Sequence, residues 1–541
     1  MADLRFDARE VTNQSPPYED VDLYGSDAAL IQAVKANGAG GEGKALSAFG
    51  RHWGRAAMFA QAKFANENPP RLDGNEVEFH PAYHAFMAES VAAGLHVMTW
   101  KADGARAAAP AEVARAARFY MVAQVENGHM CPITMTRAAV AVLAADPALL
   151  ASLMPKIASR SYDRSFQPWR DKSGMTLGMG LTEKQGGTDV RANTTRAVPA
   201  GEGYRITGHK WFMSAPMCDA FLVLAQAPGG LTCFFMPRFE PDGSVNGLNF
   251  QRLKDKLGNR SNASSEVEFA DAFALRVGDE GKGIRSILEM VQLTRLDCAI
   301  SSAGMMRMAL AQALHHARHR TVFQKKLSQQ PMMVSVLADM ALEAEAALAL
   351  TMRLARAFDG AAANPAEAAY ARLLTPAVKF WVCKRAPPFV YEAMECLGGN
   401  GYVEDSTLPR LYREAPVNAI WEGSGNVMCL DVLRVLAREG DVARGMIEGL
   451  GGEAKDLPGA EGAAVSICKA LAGAQAESHA RLAVEQLALL AAAAALRKSA
   501  PPAVVEAFAR TRLAGPRGAT YGAALIDSHE AAALLDRALP G

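Results

Sequence analysis

A glutamate beside an aromatic residue is the feature of this chain best suited to chemistry. Glu422 stands in the sequence IWEGSGN, inside a glycine-bearing segment that runs over residues 392–436. Apolar surroundings disfavour the charged form of a carboxylate, which makes it a better proton acceptor. The ordinary alternative for a single residue of this type is an exposed loop glutamate. We therefore predict that Glu422 is a general base.

Hydroxyl groups and glycines cluster in GMGLTEKQGGTDVRANTT, residues 178–195. Thr182 and Thr188 supply hydroxyls, whereas Gly186 and Gly187 allow the backbone to approach a flat ligand closely. The segment is neither a GxxxxGK[ST] phosphate loop nor a GxGxxG fingerprint, so neither mechanism of nucleotide binding applies. Taken alone, the pattern is more typical of a plain turn.

A second segment of interest is GHKWFMSA, residues 208–215. Trp211 and Phe212, followed by Ser214, have the groups needed to stack on a planar ring and to hydrogen-bond its edge. Ordinary strand aromatics are the alternative interpretation, at even odds.

Histidines and cations are concentrated in HHARHRTVFQKKL, residues 315–327. His315 and His319 have the i, i+4 spacing of metal ligands on a helix, but no carboxylate ligand or HExxH pattern accompanies them, so we expect no metal site. The cations could bind a phosphate, or could mark a solvated helix end. They are Arg318, Arg320, Lys325 and Lys326.

Composition limits the class of protein. The chain has 541 residues, 50% of them hydrophobic and 21% charged, with a formal net charge of zero. This length exceeds one hydrophobic core, and zero net charge does not favour nucleic-acid or membrane binding through the overall field. The eight cysteines form no CxxC pair, and the N-terminus lacks a signal-peptide core, so we expect reduced thiols and a cytoplasmic location. The apolar run Leu487–Leu496 is too short to span a bilayer, so we expect no membrane insertion.

The amino-acid composition and hydrophobic pattern change three times along the chain. Residues 1–175 and everything after about 281 are rich in helix formers with apolar spacing of three and four, whereas residues 176–280 contain short β-branched and aromatic runs. A glycine-rich break at residues 449–462 separates a last helical segment. We therefore predict a multidomain, mainly α protein with domains at 1–175 (α), 176–280 (β), 281–445 (α) and 446–541 (α).

In their order and spacing these segments resemble the acyl-CoA dehydrogenase superfamily. TEKQGGTD is similar to its TEP-x-AGSD flavin loop, GHKWFMS to its G-x-K-x-W-I-T strand, and RTVFQ to its R-x-x-F-G motif; LGGNGY, LYREA and IWEGSGN match its later motifs. The phrases KLGNRSNASSEVEF, CPITMT, EFHPAYHAFM and WEGSGNVMCLDVLRVL are more similar to one branch, the alkylation-response flavoproteins called AidB.

The resemblance implies a fold, a cofactor and an activity. The fold is an N-terminal helical domain, a central β-barrel, a C-terminal four-helix bundle and an added helical domain, assembled as a homotetramer with one FAD per subunit. The activity is α,β-desaturation of an acyl-CoA thioester, with Glu422 taking the α-proton and FAD accepting a hydride. A ribityl hydroxyl of the flavin and the backbone N–H of Glu422 would stabilise the enolate oxygen. An electron-transfer flavoprotein is a candidate partner.

The resemblance also assigns residues to the cofactor and substrate. The flavin would be lined by Met179, Thr182, Gly187, Thr188, Phe212, Met213 and Ser214. The adenosine diphosphate end, bound by a neighbouring subunit, would meet Arg320, Phe323, Glu395, Gly398, Gly399 and Gly401. Gly425 and Asn426 would close over the cofactor. Arg295 would lie near the substrate, or would instead form a structural ion pair with Asp297 or another acid.

Four positions depart from the superfamily pattern. Phe212 replaces a Trp, Gln324 a Gly, Glu395 a Gln that contacts FAD, and Glu414 the Asp of the RDA motif. These changes are conservative enough to keep FAD but alter its detailed contacts.

Two other functions stay open. Members of the AidB branch bind duplex DNA through the C-terminal helical domain, but from Asp431 onward there are 12 Lys/Arg against 13 Asp/Glu, so only a local patch is basic. That patch comprises Arg497, Lys498, Arg510, Arg512 and Arg517. A flavin oxidase acting on a small nitrogen compound is the third reading, although an Asp base would suit that chemistry better than Glu422.

Overall fold

Helices lie before and after a closed β-barrel in the computed structural model, which describes residues 12–515 and 518–540. This confirms the predicted fold class of N-terminal helices, a barrel and C-terminal helices. The N-terminal helices are α1 (Ala28–Ala36), α2 (Gly43–Trp53), α3 (Ala56–Glu67), α4 (Pro81–Ala92), α5 (Ala111–Ala123), α6 (Met130–Leu143) and α7 (Pro147–Ile157).

A short hairpin interrupts the N-terminal helices, although the sequence predicted only helices there. Strands β1 (Arg71–Asp73) and β2 (Glu76–Glu78) pair antiparallel around Gly74, whose φ of 57° lies in the left-handed region that glycine adopts without strain. The Asp-Gly-Asn turn sets the hairpin, and β1 packs beside the barrel.

The barrel consists of seven strands: β3 (Leu177–Gly180), β4 (Arg196–Ala200), β5 (Gly203–Ser214), β6 (Ala220–Ala227), β7 (Gly230–Pro237), β8 (Leu248–Leu253) and β9 (Ser264–Val277). They follow the order β3-β6-β4-β5-β9-β7, with β8 on β9, and the pairing of β6 with β7 closes the sheet. Buried residues such as Phe221, Phe234 and Met213 fill its interior. Closure leaves the C-terminal end of β5 and the loop after β3 at one rim.

The C-terminal bundle contains α8 (Gly283–His319), α9 (Pro331–Gly360), α10 (Pro365–Cys396) and α13 (Gly425–Arg438). Between them lie a hairpin of β10 (Thr321–Val322) and β11 (Lys325–Lys326), and two short helices, α11 (Gly399–Tyr402) and α12 (Leu408–Glu414). Helices α8, α9 and α10 pack on one another, and α13 packs on α10.

The additional helices are α14 (Gly440–Glu453), α15 (Ala460–Ala472), α16 (Ala476–Ser499), α17 (Pro502–Arg512) and α18 (Ser528–Ala538). The predicted boundary at residue 446 falls inside α14. Within the described residues, α16 alone is long and apolar enough to cross a membrane, and 72% of its most apolar stretch is buried against neighbouring helices. It packs on α9, α13 and α15.

Candidate active site

Glu422 lies in the turn between α12 and α13 and has a strained backbone. Its φ of 57° is in the left-handed region, which is unusual for a residue with a side chain, and Gly423 follows at 105°. Two cations hold the turn from the bundle. The Arg295 Nε donates to the carbonyl of Glu422 at 3.0 Å, and Lys379 Nζ donates to that of Gly423 at 2.8 Å. Because such strain persists only where neighbours enforce it, the turn is a functional candidate on geometry alone.

The half-buried carboxylate of Glu422 is held at one oxygen and open at the other. Thr294 on α8 donates its hydroxyl to Oε2 at 2.6 Å. Neither Oε1 nor the backbone N–H of Glu422 has a hydrogen-bond partner among residues 12–515 and 518–540. The turn therefore offers a proton acceptor and a separate, unused N–H donor.

Arg295 acts on the turn through a buried ion pair. Its Nη1 lies 2.7 Å from Asp431 on α13, and Arg372 also reaches that carboxylate at 3.3 Å. Burial alone would raise the pKa of Asp431, but the two guanidinium groups lower it. The acid that pairs with Arg295 is thus Asp431.

The other acid considered for Arg295, Asp297, pairs elsewhere. Arg115 donates twice to Asp297 at 2.7 Å, and Arg137 donates once at 3.2 Å. This buried cluster joins α5 and α6 to the middle of α8. It therefore fixes the helix that carries Thr294 and Arg295.

On the barrel side, a buried ion pair anchors the glycine-bearing loop. Glu183 and Lys210 are both fully buried, with Nζ 2.7 Å from Oε1, and Lys210 also donates to the carbonyl of Leu224. Burial would raise the pKa of Glu183, yet hydrogen bonds from Lys210 and Thr195 lower it to about 2. Burial lowers the pKa of Lys210 to about 8.

Thr182 and Thr188 are carried on this anchored loop, Thr182 half-buried and Thr188 exposed. The Thr182 carbonyl accepts from the N–H of Trp211 at 2.8 Å, which joins the loop to β5. A Cβ on Gly187 would lie 2.5 Å from Thr182 Oγ1, so glycine lets the loop fold back on itself. The two threonine hydroxyls are thus presented beside the end of β5.

The last residues of β5 alternate between the barrel interior and its rim. Met213 is fully buried in the barrel core, so only its backbone borders the rim, whereas Phe212 is 51% exposed. Ser214 is half-buried, and its hydroxyl lies 3.0 Å from that of Ser264. Met179, on β3, is buried nearby in the same core. An exposed aromatic ring beside open hydroxyls fits a planar ring such as the flavin.

Cys131 on α6 links the two halves of the site. Burial is the main reason that the pKa of this thiol rises to about 11; the charge of Glu422 raises it further, while Lys256 and hydrogen bonds with Ser214 and Asn262 oppose the shift. The pKa of this buried thiol is therefore affected by groups from both the barrel side and the bundle side of the site.

The residues assigned to the adenosine diphosphate end lie away from Glu422. Arg320 donates to the carbonyl of Asn13, while Phe323 is 90% exposed with a φ of 49° on the β10–β11 hairpin. Glu395, at the end of α10, is exposed. These side chains face outward and do not line the site of their own chain.

The glycines after α10 have different surroundings. Gly398 has a φ of 59°, which favours glycine, and a Cβ on Gly401 would lie 2.2 Å from the Met394 carbonyl. Gly399 has open space around it. A cavity of about 830 Å³ opens beside this segment, between α3 and the end of α8, and Glu422 is not among its lining residues.

Gly425 and Asn426 begin α13 directly after the Glu422 turn. Gly425 lies against Lys384 and Phe380 of α10, and Asn426 is exposed and accepts a hydrogen bond from Arg481 of α16 at 3.2 Å. The added helices thus reach the same corner as the Glu422 turn.

The predicted DNA-binding patch does not form a set of free cations. Arg512 is 6% exposed and forms an ion pair with Asp339 of α9, so in this structure its guanidinium is enclosed with a carboxylate and does not belong to the exposed surface. Arg510 pairs with Glu530 at 2.7 Å and Lys498 with Glu453 at 2.8 Å.

Of the remaining patch cations, Arg497 is exposed and donates to the carbonyl of Lys455. Arg517 lies outside the described residues. Among residues 12–515 and 518–540 no group of three or more His, Cys, Asp or Glu side chains could hold a metal ion. His315 and His319 instead donate ring N–H groups to the backbone carbonyls of Pro16 and His315.

Several residues at the site were missed from the sequence. Thr294 and Lys379 carry no motif and are recognised only because two helices bring them to the Glu422 turn. Glu183 and Lys210 did carry a signal, since Glu183 lies inside TEKQGGTD and Lys210 inside GHKWFMSA. A lysine inside a β-strand pattern commonly needs a buried partner.

Comparison with known proteins gives matches over most of the chain. Residues 13–164 match the Adaptive response protein AidB N-terminal domain, residues 178–272 the acyl-CoA dehydrogenase middle domain, and residues 281–437 the acyl-CoA dehydrogenase C-terminal domain. The putative acyl-CoA dehydrogenase AidB of Escherichia coli is 51% identical over 451 residues, which are 81% of this chain and 82% of that protein.

Solved structures match the overall fold as well. Caenorhabditis elegans ACDH-11 in complex with C11-CoA gives a TM-score of 0.85 at 26% identity and covers 94% of each chain. The apo-form of Bd2924 gives a TM-score of 0.80 at 27% identity and covers 90% of this chain and 99% of that chain. The added C-terminal helices are therefore part of the matched architecture.

Proposed function

The chain belongs to the AidB-type acyl-CoA dehydrogenase family, and on this premise we propose that it desaturates an acyl-CoA thioester with Glu422 as the base. Its domains are those of FAD-dependent oxidoreductases that act on CH–CH donors, and its cofactor is FAD. The C11-CoA bound to the nematode relative supports an acyl-CoA as the substrate here.

The strained turn at Glu422 is the observation that carries this proposal. Oε1 is open to take a proton from the substrate α-carbon, while Thr294 holds Oε2 and Arg295 holds the backbone. The unused N–H of Glu422 can donate to the oxygen that gains charge as the proton leaves. Bound FAD supplies the acceptor for the β-hydride.

On the barrel side, this chain's residues bind and orient the cofactor. Thr182, Thr188 and Ser214 offer hydroxyls to the flavin, and Phe212 offers an aromatic face. The Glu183–Lys210 pair keeps the loop in place. Arg320, Phe323, Glu395, Gly398, Gly399 and Gly401 serve the cofactor of a neighbouring subunit in the proposed homotetramer, and Gly425 with Asn426 closes the site beside Glu422.

Anaerobic titration with a panel of acyl-CoA thioesters tests the proposal. The wild-type protein should bleach in its flavin absorption with a thioester of preferred length, and Glu422→Gln should retain FAD but not bleach. Glu439→Gln, an exposed carboxylate after α13, is the control and should bleach normally. Unchanged bleaching in Glu422→Gln would exclude Glu422 as the base. A colourless protein that refuses FAD would overturn the whole assignment.

The wider setting is also part of the proposal. We propose a cytoplasmic enzyme that passes its electrons to an electron-transfer flavoprotein. Reoxidation of the reduced protein by such a carrier, without oxygen consumption, would support this acceptor over an oxidase reaction on a small nitrogen compound.

Duplex DNA binding is the second candidate function, because residues 13–164 match the adaptive-response AidB N-terminal domain. The cation of the described patch best placed for it is Arg497, which is exposed and donates to a backbone carbonyl, whereas Lys498, Arg510 and Arg512 pair with carboxylates. A gel-shift assay at two salt concentrations tests it, because phosphate contacts weaken steeply with salt. Absence of salt-sensitive binding would remove this candidate.

A further inference from the structure

A lysine for which the sequence predicted no role lies close to the flavin side of the site, at the start of the KLGNRSNASSEVEF segment. Lys256 follows β8, and its Nζ donates to the carbonyl of Asn262 at 2.6 Å and to the Ser264 hydroxyl at 3.4 Å. The Ser264 hydroxyl in turn lies 3.0 Å from that of Ser214. Ser214 and Ser264 are register partners on β5 and β9, so the pair is held by the sheet itself. A continuous chain of polar groups therefore runs from Lys256 to Ser214.

The Lys256 ammonium has no ion-pair partner within 4.0 Å among residues 12–515 and 518–540. Its neighbours with a similar charge are differently engaged, since Lys254 pairs with Glu266 at 2.6 Å and Arg260 with Asp255 at 3.1 Å. Burial lowers the pKa of Lys256 to about 8, so near pH 7 the side chain is still mostly an ammonium that donates to Asn262 and Ser264. A buried charge without an ion pair is costly, and these hydrogen bonds offset part of that cost.

The direction of the hydrogen bonds from Lys256 through Ser264 to Ser214 follows from the chemistry of the ammonium group. An ammonium group can only donate, so Lys256 occupies a lone pair of the Ser264 oxygen. Ser264 is then free to turn its own proton toward Ser214, and the Ser214 proton, which otherwise serves the weak acceptor Cys131, can be donated to the flavin. Successive donors polarise one another, and a charged first donor strengthens the effect.

We propose that Lys256 is a positioning residue that, through Ser264, makes Ser214 a strong hydrogen-bond donor to the flavin ring and so favours the reduced cofactor. This inference rests on the proposed function, in which Ser214 faces the flavin. The ring gains negative charge when it accepts two electrons. A donor backed by a cation therefore stabilises the reduced form more than the neutral oxidised form.

The midpoint potential of the FAD-loaded protein is the direct test. Lys256→Met removes the charge, and Ser264→Ala breaks the chain while leaving the charge in place. Each should shift the ratio of reduced to oxidised flavin at a fixed poise about tenfold toward the oxidised form, which is a potential about 30 mV lower for a two-electron couple. Lys256→Arg and Ser264→Thr, which keep the donor groups, should stay near the wild-type potential.

The outcomes separate this inference from the proposed function. A wild-type potential in FAD-loaded Lys256→Met or in FAD-loaded Ser264→Ala overturns the proposed hydrogen-bond relay, which runs from Lys256 through Ser264 to Ser214. If the protein binds FAD and bleaches through Glu422 but these potentials do not move, only the relay fails. If Lys256→Met does not fold, Ser264→Ala decides alone, since it changes one small side chain on β9.

Discussion

Each atom of Glu422 that could react has a defined neighbourhood. One carboxylate oxygen is tied to Thr294, the backbone carbonyl is tied to Arg295, and the second carboxylate oxygen and the N–H are unused by the described residues. A reacting group that is already held in one orientation loses less entropy when the transition state forms. The residue scale therefore explains why this glutamate, among many in the chain, is suited to take a proton.

Removing the Thr294 hydroxyl should weaken that restriction. In Thr294→Val, anaerobic flavin reduction by a good acyl-CoA should slow by about tenfold, because a hydrogen bond to a charged group contributes about 1.5–3 kcal/mol. FAD content should not change. Thr294→Ser keeps the hydroxyl and should react at nearly the wild-type rate in stopped-flow measurements. Wild-type kinetics in the valine variant would show that Thr294 does not orient the base.

The Glu183–Lys210 pair should make the free energy of unfolding depend on pH. Because the pKa of Glu183 in the folded protein is lowered to about 2, its contribution is complete above its ordinary value near 4.5 and is lost as pH falls from there toward 2. The difference corresponds to about 3 kcal/mol in the free energy of unfolding.

The control is a double variant, Glu183→Leu with Lys210→Met, which replaces the buried pair by apolar side chains. Urea denaturation across pH 2–5 should show a steeper loss of stability in the wild-type protein than in the double variant. Parallel pH curves for the two proteins would mean that this pair does not titrate as described.

At the scale of elements, glycines decide how the segment after α10 folds. Helix α10 ends at Cys396, and the chain reverses through Gly398 into α11, where Gly401 packs directly on the backbone of the preceding helix. The same segment carries the residues proposed to serve a neighbouring subunit's cofactor. Its glycines therefore have both a packing role and a proposed binding role, which substitution can separate.

Gly401→Ala should lower the free energy of unfolding by about 1–3 kcal/mol, because the new Cβ would lie 2.2 Å from the Met394 carbonyl. Gly399→Ala is the matched control, since its Cβ would meet open space, and its stability should stay within about 0.5 kcal/mol of wild type. Chemical denaturation of both variants measures the difference. Equal stabilities would contradict the tight packing at Gly401.

At the scale of the whole molecule, a highly exposed aromatic side chain, Phe323, suggests assembly with other subunits. Phe323 is 90% exposed on a hairpin whose residues 323 and 324 both have positive φ. A strained turn that presents a large apolar side chain to water is unusual in a monomer and suits a contact with another subunit. In the proposed homotetramer, a contact with another subunit would bury the Phe323 side chain and would explain its strained backbone.

Light scattering should therefore find a particle of about four times the 57.6 kDa chain mass, with FAD bound. Phe323→Ser should weaken this assembly and release FAD more readily. Leu525→Ser, at a residue that is 86% exposed, is the control and should leave the mass unchanged. A monomeric wild-type protein with tightly bound FAD would refute the role given to Phe323.

The family, the order of the domains and the candidate base could all be predicted from the sequence. This was possible because motifs such as TEKQGGTD and IWEGSGN are contiguous, and the chemistry of each site requires particular residue types at particular positions. The sequence also predicted the barrel from its short β-branched runs. It did not predict the β1–β2 hairpin, whose strands are only three residues long.

The partners of these residues follow from the way the helices pack in the tertiary structure. Thr294 and Lys379 come to the Glu422 turn from two different helices, and Asp431 on a third helix holds the Arg295 that bonds the turn. Arg512 is likewise enclosed by an acid 173 positions away. Long-range pairs of this kind leave no local pattern, since any helix with suitable spacing could carry them. Their geometry depends on how whole elements pack, which is set by the shared core and not by neighbours along the chain.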